Sequence, residues 1–167
     1  HIANILRLLG NPDPEGGAKR IYALERRIAE AHTYEDRSIS IAEAMRTMSY
    51  ADLKAFAPGF DWDVFLEATG FAGADRFVIT DQTAVPDIAK LVRKIPVADW
   101  KLWLEYHFSS DFSPYLPKAF SDSTFDFFSR ELYGVTVQPE RWKFAVAVVE
   151  QQLGEAIAQL YVKRYFP

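Results

Sequence analysis

The amino-acid sequence predicts an all-α fold, an array of about seven or eight helices that ends in a long C-terminal helix. Three observations lead to this prediction. Large apolar residues recur at three- and four-residue steps along most of the 167-residue chain. Capping side chains and prolines precede these periodic segments, and glycines or prolines follow them. At most one short segment, residues 77–80 (Phe-Val-Ile-Thr), is strand-like, and it is expected to stand alone.

The first two helices are predicted by apolar spacing and by a capping sequence. The face of the first helix consists of Ile2, Ile5, Leu6 and Leu9. Asp13 is a suitable N-cap and Pro14 a suitable first helical residue, so the second helix is expected to run from there to about His32. Its inner face consists of Ile21, Leu24, Ile28 and Ala31. Residues 33–48 have weaker periodicity and are expected to be irregular, with one short helix.

Three further helices are expected in the middle of the chain. Ser49 and Asp52 resemble a capping box, which would begin a short helix that residues 58–59 (Pro-Gly) end. Asp61 is expected to cap the next helix, and Gly70 to end it. The third helix is expected to begin near Thr83 and Pro86 and to end at Pro96. Its inner face consists of Ile88, Leu91, Val92 and Ile95.

The C-terminal third is rich in aromatic residues at helical spacing. A helix is expected from Val97, and Ser113 with Pro114 is expected to start another that reaches Gly134 or breaks near Asp122. Residue 139, a proline, is expected to start the last and longest helix, of about seven turns or roughly 40 Å. Its apolar stripe consists of Trp142, Ala145, Val146, Val149, Leu153, Ile157, Leu160 and Tyr161.

Composition and charge exclude several classes of function. The net charge is −4 and lysines and arginines are scattered, so nucleic acid and anionic membranes are not expected partners. The longest unbroken aliphatic or aromatic run, residues 144–149, is much shorter than the ~20 residues of a membrane span. The chain has no cysteine, which excludes disulfides, thiolate metal sites and cysteine nucleophiles.

A search for reactive groups assigns no catalytic, metal-binding or cofactor-binding residue. The three histidines, His1, His32 and His107, form neither His-Glu-x-x-His nor Glu-x-x-His. Glu105 and His107 are two residues apart, so on a helix they point to different sides. Residues 16–19 (Gly-Gly-Ala-Lys) lack the spacing of a phosphate loop and are expected to be the first turn of a helix.

Aromatic side chains suggest a binding function as an alternative to a purely structural one. Their spacing is typical of a core but would also allow a peptide-binding groove. The residues concerned are Trp100, Trp103, Phe108, Phe112, Phe125 and Phe128.

Several segments, in order, resemble the neprilysin and endothelin-converting-enzyme family of zinc metallopeptidases, with bacterial members the most similar. They are residues 1–3 and 8–10 (His-Ile-Ala, Leu-Leu-Gly), 24–29 (Leu-Glu-Arg-Arg-Ile-Ala), 48–53 (Met-Ser-Tyr-Ala-Asp-Leu) and 57–62 (Ala-Pro-Gly-Phe-Asp-Trp). The last segment carries the family's Arg-Trp and Leu-Tyr-Val with a final Phe. In this chain these are Arg141, Trp142, Leu160, Tyr161, Val162 and Phe166.

The resemblance implies that residues 1–167 are one helical unit from the amino-terminal, non-catalytic region of a zinc peptidase. In the family this region helps to enclose the active-site cavity and restricts entry to short peptides. The resemblance also implies that zinc and its His-Glu-x-x-His ligands belong to the parent protein, together with the catalytic domain and peptide substrates, in the periplasm or outside the cell. Phe144 and Ala145 stand near the position of a family cysteine, so the family's disulfide is not expected.

Two other interpretations remain open from the residues alone. The chain would be a freestanding helical adaptor if the aromatic residues formed a groove for a peptide or partner helix. It would be an independent hydrolase if acidic pairs that include Asp61 and Asp126 carried an activity. The apolar first segment, which has no capping residue, and the aromatic last residues favour a fragment of a longer protein instead.

Overall fold

The structure, a computed structural model, describes residues 1–32 and 45–166. In this part of the chain the α-helices are α1 (Ile2–Leu8), α2 (Pro14–Ala31), α3 (Tyr50–Phe56), α4 (Trp62–Ala68), α5 (Ala84–Lys94), α6 (Val97–Asp111), α7 (Lys118–Thr124) and α8 (Arg141–Tyr165). Two short strands, β1 (Arg46–Ser49) and β2 (Arg76–Ile79), also form. The predicted helical array with a long last helix is therefore confirmed.

The hydrophobic core joins the start of the chain to residues about a hundred positions later. Helix α1 lies against α2, α6 and α7. The buried side chains of the main cluster are Ile5, Leu6, Ile21, Leu102, Tyr106 and Phe120. Because these side chains come from four helices, burial of their apolar surface holds all four together.

Helices α1 and α2 form as the spacing and caps predict. Asp13 Oδ1 accepts a hydrogen bond from the Gly16 backbone N–H at 3.0 Å, which satisfies one of the free donors at the start of α2. Residues 16–19 form the first turns of this helix, as expected. A Cβ atom at Gly17 would lie 2.7 Å from Leu6 Cδ1, so the glycine permits α1 to approach closely.

The strand-like segment is not alone, which corrects the prediction. Strand β2 pairs antiparallel with β1, and Met48 lies opposite Phe77. Residues 46–48 were expected to belong to an irregular stretch. Strand β1 has a single large apolar residue, so its sequence shows no period-two alternation. The pairing itself is made by backbone hydrogen bonds, which leave no pattern in the sequence. The rest of that stretch, residues 33–44, lies outside the described residues.

The short helices α3 and α4 begin at the predicted caps. Ser49 Oγ accepts from the Asp52 backbone N–H at 3.2 Å, and Asp52 Oδ2 accepts from the Ser49 backbone N–H at 3.3 Å. Asp61 Oδ1 accepts from the Val64 backbone N–H at 3.2 Å. Gly70, at φ 78°, follows α4 in the left-handed region that favours glycine.

The segment after α6 differs from its prediction. Residues 113–115 form a single 3-10 turn, not the start of a long helix, and the chain is extended at Leu116. The reason is Pro117, which has no N–H to donate and disfavours helical backbone at the residue before it. Helix α7 then continues into a π-helical segment over residues 125–131, so the change of helix type comes at Phe125 and not near Asp122.

Candidate functional site

Among the described residues, helix α8 contributes no buried side chain to the core that the other helices form. It has 25 residues, of which none is buried, and its backbone departs from helical geometry at Leu153. It begins at Arg141, two residues after the predicted Pro139 start. Ten large apolar side chains on or next to it are exposed: Trp142, Val146, Val149, Leu153, Ile157, Leu160, Tyr161, Val162, Tyr165 and Phe166. Contiguous exposed apolar surface on this scale is typical of an interaction site.

The family-motif residues lie at the two ends of α8. Arg141 Nη2 donates to the carbonyl oxygens of Pro114 and Leu116 at 3.5 and 3.4 Å, which connects the helix to the body. At the other end, about 30 Å along the axis at 1.5 Å per residue, the Tyr161 ring contacts the rings of Tyr165 and Phe166. The motif therefore marks the end of α8 that touches the body, and at the other end it consists of side chains that are more than half exposed.

The remaining motif side chains add to the exposed surface of this helix. Trp142 donates its indole N–H to Glu140, the residue just before α8. Leu160 is 70% exposed and Val162 is 51% exposed. None of these three makes a described contact with the core cluster.

A groove separates the first turn of α8 from the body. Its volume is about 630 Å³, and the aromatic side chains Phe125, Phe128 and Phe144 line it. Arg141 lines the same groove, as do Pro114 and Pro139. We call this feature the Arg141 groove.

The aromatic residues considered for a peptide groove lie in three different places. The rings of Trp100 and Trp103 contact each other at 5.8 Å on one side of α6. Phe108 and Phe112 stack at 4.5 Å on another side and are largely exposed. Phe125, which is buried, and Phe128 line the Arg141 groove. The single groove that the adaptor interpretation requires is therefore not formed by this set.

The exposed rings of α6 form an apolar face. Phe112 contacts Tyr115 at 6.1 Å, and Tyr115 contacts Phe144 of α8 at 5.3 Å. Leu104 and Phe108 continue the same face along α6, opposite its buried residues. We call Leu104, Phe108, Phe112 and Tyr115 the aromatic face. It is continuous with α8 through the contact between Tyr115 and Phe144.

Each histidine has a structural contact. The His1 ring stacks on Phe127 at 5.1 Å. His32 Nδ1 lies 2.8 Å from the carbonyl oxygen of Ile28, at the end of α2 as predicted. His107 Nε2 lies 2.5 Å from Glu25 Oε1, an oxygen that also accepts from the Trp103 indole N–H at 2.5 Å.

Sequence reasoning missed the group of Glu25, Trp103 and His107. From the sequence alone, only Glu105 was compared with His107. The spacing of Trp103 and His107, four residues apart on α6, indicates a shared face. Nothing in the spacing indicates that Glu25 of α2 lies opposite that face.

The acidic residues named for a hydrolase have separate structural roles. Asp61 caps α4, and Asp126 forms an exposed ion pair with Arg130 in the π-helical segment. Asp63, the neighbour of Asp61, accepts hydrogen bonds from Lys54 Nζ at 2.8 Å and from the Tyr50 hydroxyl. The hydrogen bond from Lys54, and to a smaller extent the one from Tyr50, lowers the pKa of Asp63. This carboxylate is therefore suited to an ion pair and not to proton transfer.

The residues present do not suit a zinc site. In residues 1–32 and 45–166, no three His, Cys, Asp or Glu side chains are grouped closely enough to hold a metal ion. His107 has one carboxylate neighbour, which is fewer than the three or four protein ligands of a zinc centre. Over the same ranges, no helix combines the length and apolar character of a membrane span.

Comparison with known proteins gives one consistent result. The sequence model that describes peptidase family M13 matches residues 1–167. The chain is 30% identical to the zinc metalloprotease Zmp1 of Mycobacterium tuberculosis in an open state, with a TM-score of 0.89. For an inhibitor complex of the same protein the identity is 29% and the TM-score 0.85. For a partial open state the identity is 32% and the TM-score 0.78.

The matches cover nearly all of this chain but a small share of the solved ones. They include 99–100% of this chain and 26–27% of each Zmp1 chain. The chain therefore spans about a quarter of the length of the solved proteins that it resembles.

Proposed function

Since the chain belongs to peptidase family M13, we propose that it is a non-catalytic helical region of a zinc endopeptidase, where its helices help to enclose the active-site cavity. The parent protein supplies the zinc ligands and the catalytic domain, and its substrates are short peptides. The described residues of this chain contribute shape and contact surface.

The observation that carries this proposal is the exposed apolar surface of α8. A 25-residue helix with no buried side chain gains little stability from packing on its own chain. It therefore needs a partner that covers its apolar surface. The aromatic face extends the same surface. A catalytic lobe of the parent that packs on α8 and the aromatic face would turn these helices into one side of an enclosed cavity.

Close-packed helices are suited to this role because they hold a boundary without any chemistry of their own. A core of interlocked side chains resists deformation, so a boundary supported by α1, α2, α6 and α7 keeps its shape. Such a boundary admits short flexible peptides and excludes folded proteins by size alone.

The first test is to compare the isolated chain with its parent. We expect the purified 167-residue chain to contain no stoichiometric zinc by elemental analysis and to leave test peptides intact. We expect the parent reading frame to encode His-Glu-x-x-His downstream of residue 167. Peptide hydrolysis by the isolated chain that survives purification controls would contradict the proposal.

A second test separates enclosure from simple stability. In the parent protein, the double variant Ile157→Glu with Leu160→Glu should disturb packing on α8. We expect kcat/KM for a long substrate to rise relative to kcat/KM for a short peptide, because the cavity is less closed. The control is Val64→Glu, a single change of the same kind at an exposed site on α4. Parallel loss of both rates would show that α8 supports folding only.

The parent protein is further proposed to act in the periplasm or outside the cell. Support for this comes from the family resemblance of the sequence alone. Fractionation of cells that express the natural gene, followed by detection with an antibody to residues 141–165, would test it. Recovery in the cytoplasmic fraction alone would contradict it.

A further inference from the structure

We propose that the second half of α8, residues 153–165, is enclosed on opposite sides by the catalytic lobe of its parent protein. The inference rests on the proposed function, because it requires a larger parent chain. It goes further in assigning this half of α8 to the interior of the parent, where the lobe surrounds the helix and does not merely cover one side of it.

The family-motif residues Leu160, Tyr161 and Val162 point in three different directions. Successive residues of an α-helix are rotated by about 100° around its axis. The side chains of Leu160 and Val162 therefore lie on nearly opposite sides of α8, and Tyr161 lies between them. Their exposed fractions are 70%, 51% and 55% respectively. Exposed apolar surface thus extends around more than half of the helix at this level.

Polar side chains form a narrow strip along the same half of α8. Glu155, Gln159 and Lys163 recur every four residues, so they lie on one side of the helix and are exposed. Arg164 lies elsewhere, in the last turn, and its guanidinium lies over the Tyr165 ring at 5.5 Å. The strip leaves most of the circumference apolar.

Helix α2 has the usual pattern of a helix at a protein surface. Ile21 and Leu24 are buried, whereas Arg26 and Glu30 form an exposed ion pair. A surface helix has one apolar stripe, and a helix that is apolar around most of its circumference is typical of a protein interior. By this criterion the second half of α8 is an interior helix.

The body does not supply this interior. Among the described residues, the hydrogen bonds and ring contacts between α8 and the body come from Arg141 and Phe144, near its start. No residue of the helix is buried.

The catalytic lobe is the partner that fits this geometry. A second copy of the chain would pair with α8 along one side, as in a two-fold dimer, and would leave the opposite side exposed. A larger folded partner can contact the helix with several of its own elements. The matched region is 26–27% of each Zmp1 chain, so a parent of that size contains enough further chain for such a partner.

Cysteine substitution tests the inference, because residues 1–167 contain no cysteine. In the parent protein, Leu160→Cys and Val162→Cys place thiols on opposite sides of α8, and Gln159→Cys, on the polar strip, is the matched control. The rate of maleimide labelling is measured for the native and the urea-unfolded protein, with the unsubstituted parent as background. We expect folding to slow labelling at both apolar sites by about tenfold or more, because a buried thiol reacts only when the structure opens. Gln159→Cys should label close to its unfolded rate.

Two further measurements identify the partner and avoid dependence on the cysteine variants. A photo-reactive p-benzoyl-phenylalanine at position 160 or 162 should cross-link to peptides of the catalytic lobe. Hydroxyl-radical footprinting of the unsubstituted parent should show slow oxidation of both Leu160 and Val162 relative to a free peptide of the same sequence. The footprint needs no substitution, so the inference stays testable if a variant fails to fold.

Several results would overturn the inference. Fast labelling or oxidation at either position 160 or position 162 of the folded parent would show that one side of α8 faces solvent. Equal protection of all three cysteines would show no preference for the apolar sides. Cross-links to residues 1–140, or between two parent molecules, would assign the cover to the body or to a second copy. Peptide hydrolysis by the same preparation is measured in parallel, so a parent that is an active zinc peptidase but labels rapidly contradicts this inference alone.

Discussion

Glu25 and His107 are 82 residues apart in sequence, and Glu25 Oε1 lies 2.5 Å from His107 Nε2. The same oxygen accepts from the Trp103 indole N–H. One carboxylate on α2 thus holds two side chains that lie one turn apart on α6. This contact links the two helices beside the core cluster, against which Trp103 also packs.

We predict that Glu25→Ala lowers the free energy of unfolding by about 1–2 kcal/mol, since each lost hydrogen bond contributes about 0.5–1.5 kcal/mol. Urea denaturation followed by tryptophan fluorescence would measure it. The control is Glu30→Ala on the same helix, because Glu30 forms an exposed pair with Arg26. Such pairs contribute about 0–1 kcal/mol. Equal losses for the two variants would show that the Glu25 contact has no special role.

Replacing Gly59 and Gly154 with alanine should change the free energy of unfolding in opposite directions. A Cβ atom at Gly59 would lie 2.6 Å from the carbonyl oxygen of Ala89, and that backbone cannot move away easily. We expect Gly59→Ala to destabilise the chain by about 1–3 kcal/mol, as overpacking does. A Cβ at Gly154 would meet nothing within 4 Å.

Gly154→Ala should therefore stabilise α8 by up to about 1 kcal/mol through helix propensity alone. Thermal unfolding by circular dichroism, with both variants compared to the unchanged chain, is a sufficient measurement. Stabilisation by Gly59→Ala would contradict the close approach of the loop after α3 to α5.

The capping box of α3 should make the stability of this helix depend on pH. Hydrogen bonds from Ser49 lower the pKa of Asp52 below its usual value near 3.8. Because the folded pKa is the lower one, the contribution is complete above about pH 4 and is lost as the pH falls through the folded pKa. Side-chain carboxyl NMR of Asp52 would measure the shift.

Ser49→Ala should move the pKa of Asp52 back towards that of an isolated aspartate. A pKa of Asp52 that does not respond to Ser49→Ala would rule out the capping box as its cause.

The isolated chain should bind hydrophobic dyes and self-associate through α8. Its exposed apolar side chains have no partner in the described part of the chain. Their contact with water is unfavourable, so their burial against another apolar surface is favoured. We expect Ile157→Glu with Leu160→Glu to reduce both effects while changing the free energy of unfolding by less than about 0.5 kcal/mol. Light scattering with size-exclusion chromatography would measure association. A loss of stability well beyond that limit would show that α8 packs on its own chain.

Local signals in the sequence predicted most helices because their caps and spacing are short-range. Asp13, Ser49 and Asp61 each act within three residues of their own position, so the sequence alone indicates them. The pairing of β1 with β2 depends on residues about thirty positions apart, and no pattern in four residues such as 46–49 identifies the partner. The 3-10 turn at residues 113–115 was predictable, since Pro117 forbids a continuous helix there.

The candidate site was predicted in part. The motif spacing indicated that Arg141 and Tyr161 lie on one long helix, and the structure confirms this. It did not indicate which end touches the body, because that depends on the backbone carbonyls of Pro114 and Leu116. The grouping of aromatic residues failed for a related reason: six rings at helical spacing can occupy different sides of a helix and different helices.

The order of residues in the core cluster has a consequence for synthesis of the protein. The last member of that cluster, Phe120, precedes α8, and α8 contributes no buried residue. A nascent chain can therefore complete this cluster while α8 is still inside the ribosome. The cluster therefore needs no contribution from the apolar helix, which emerges after it.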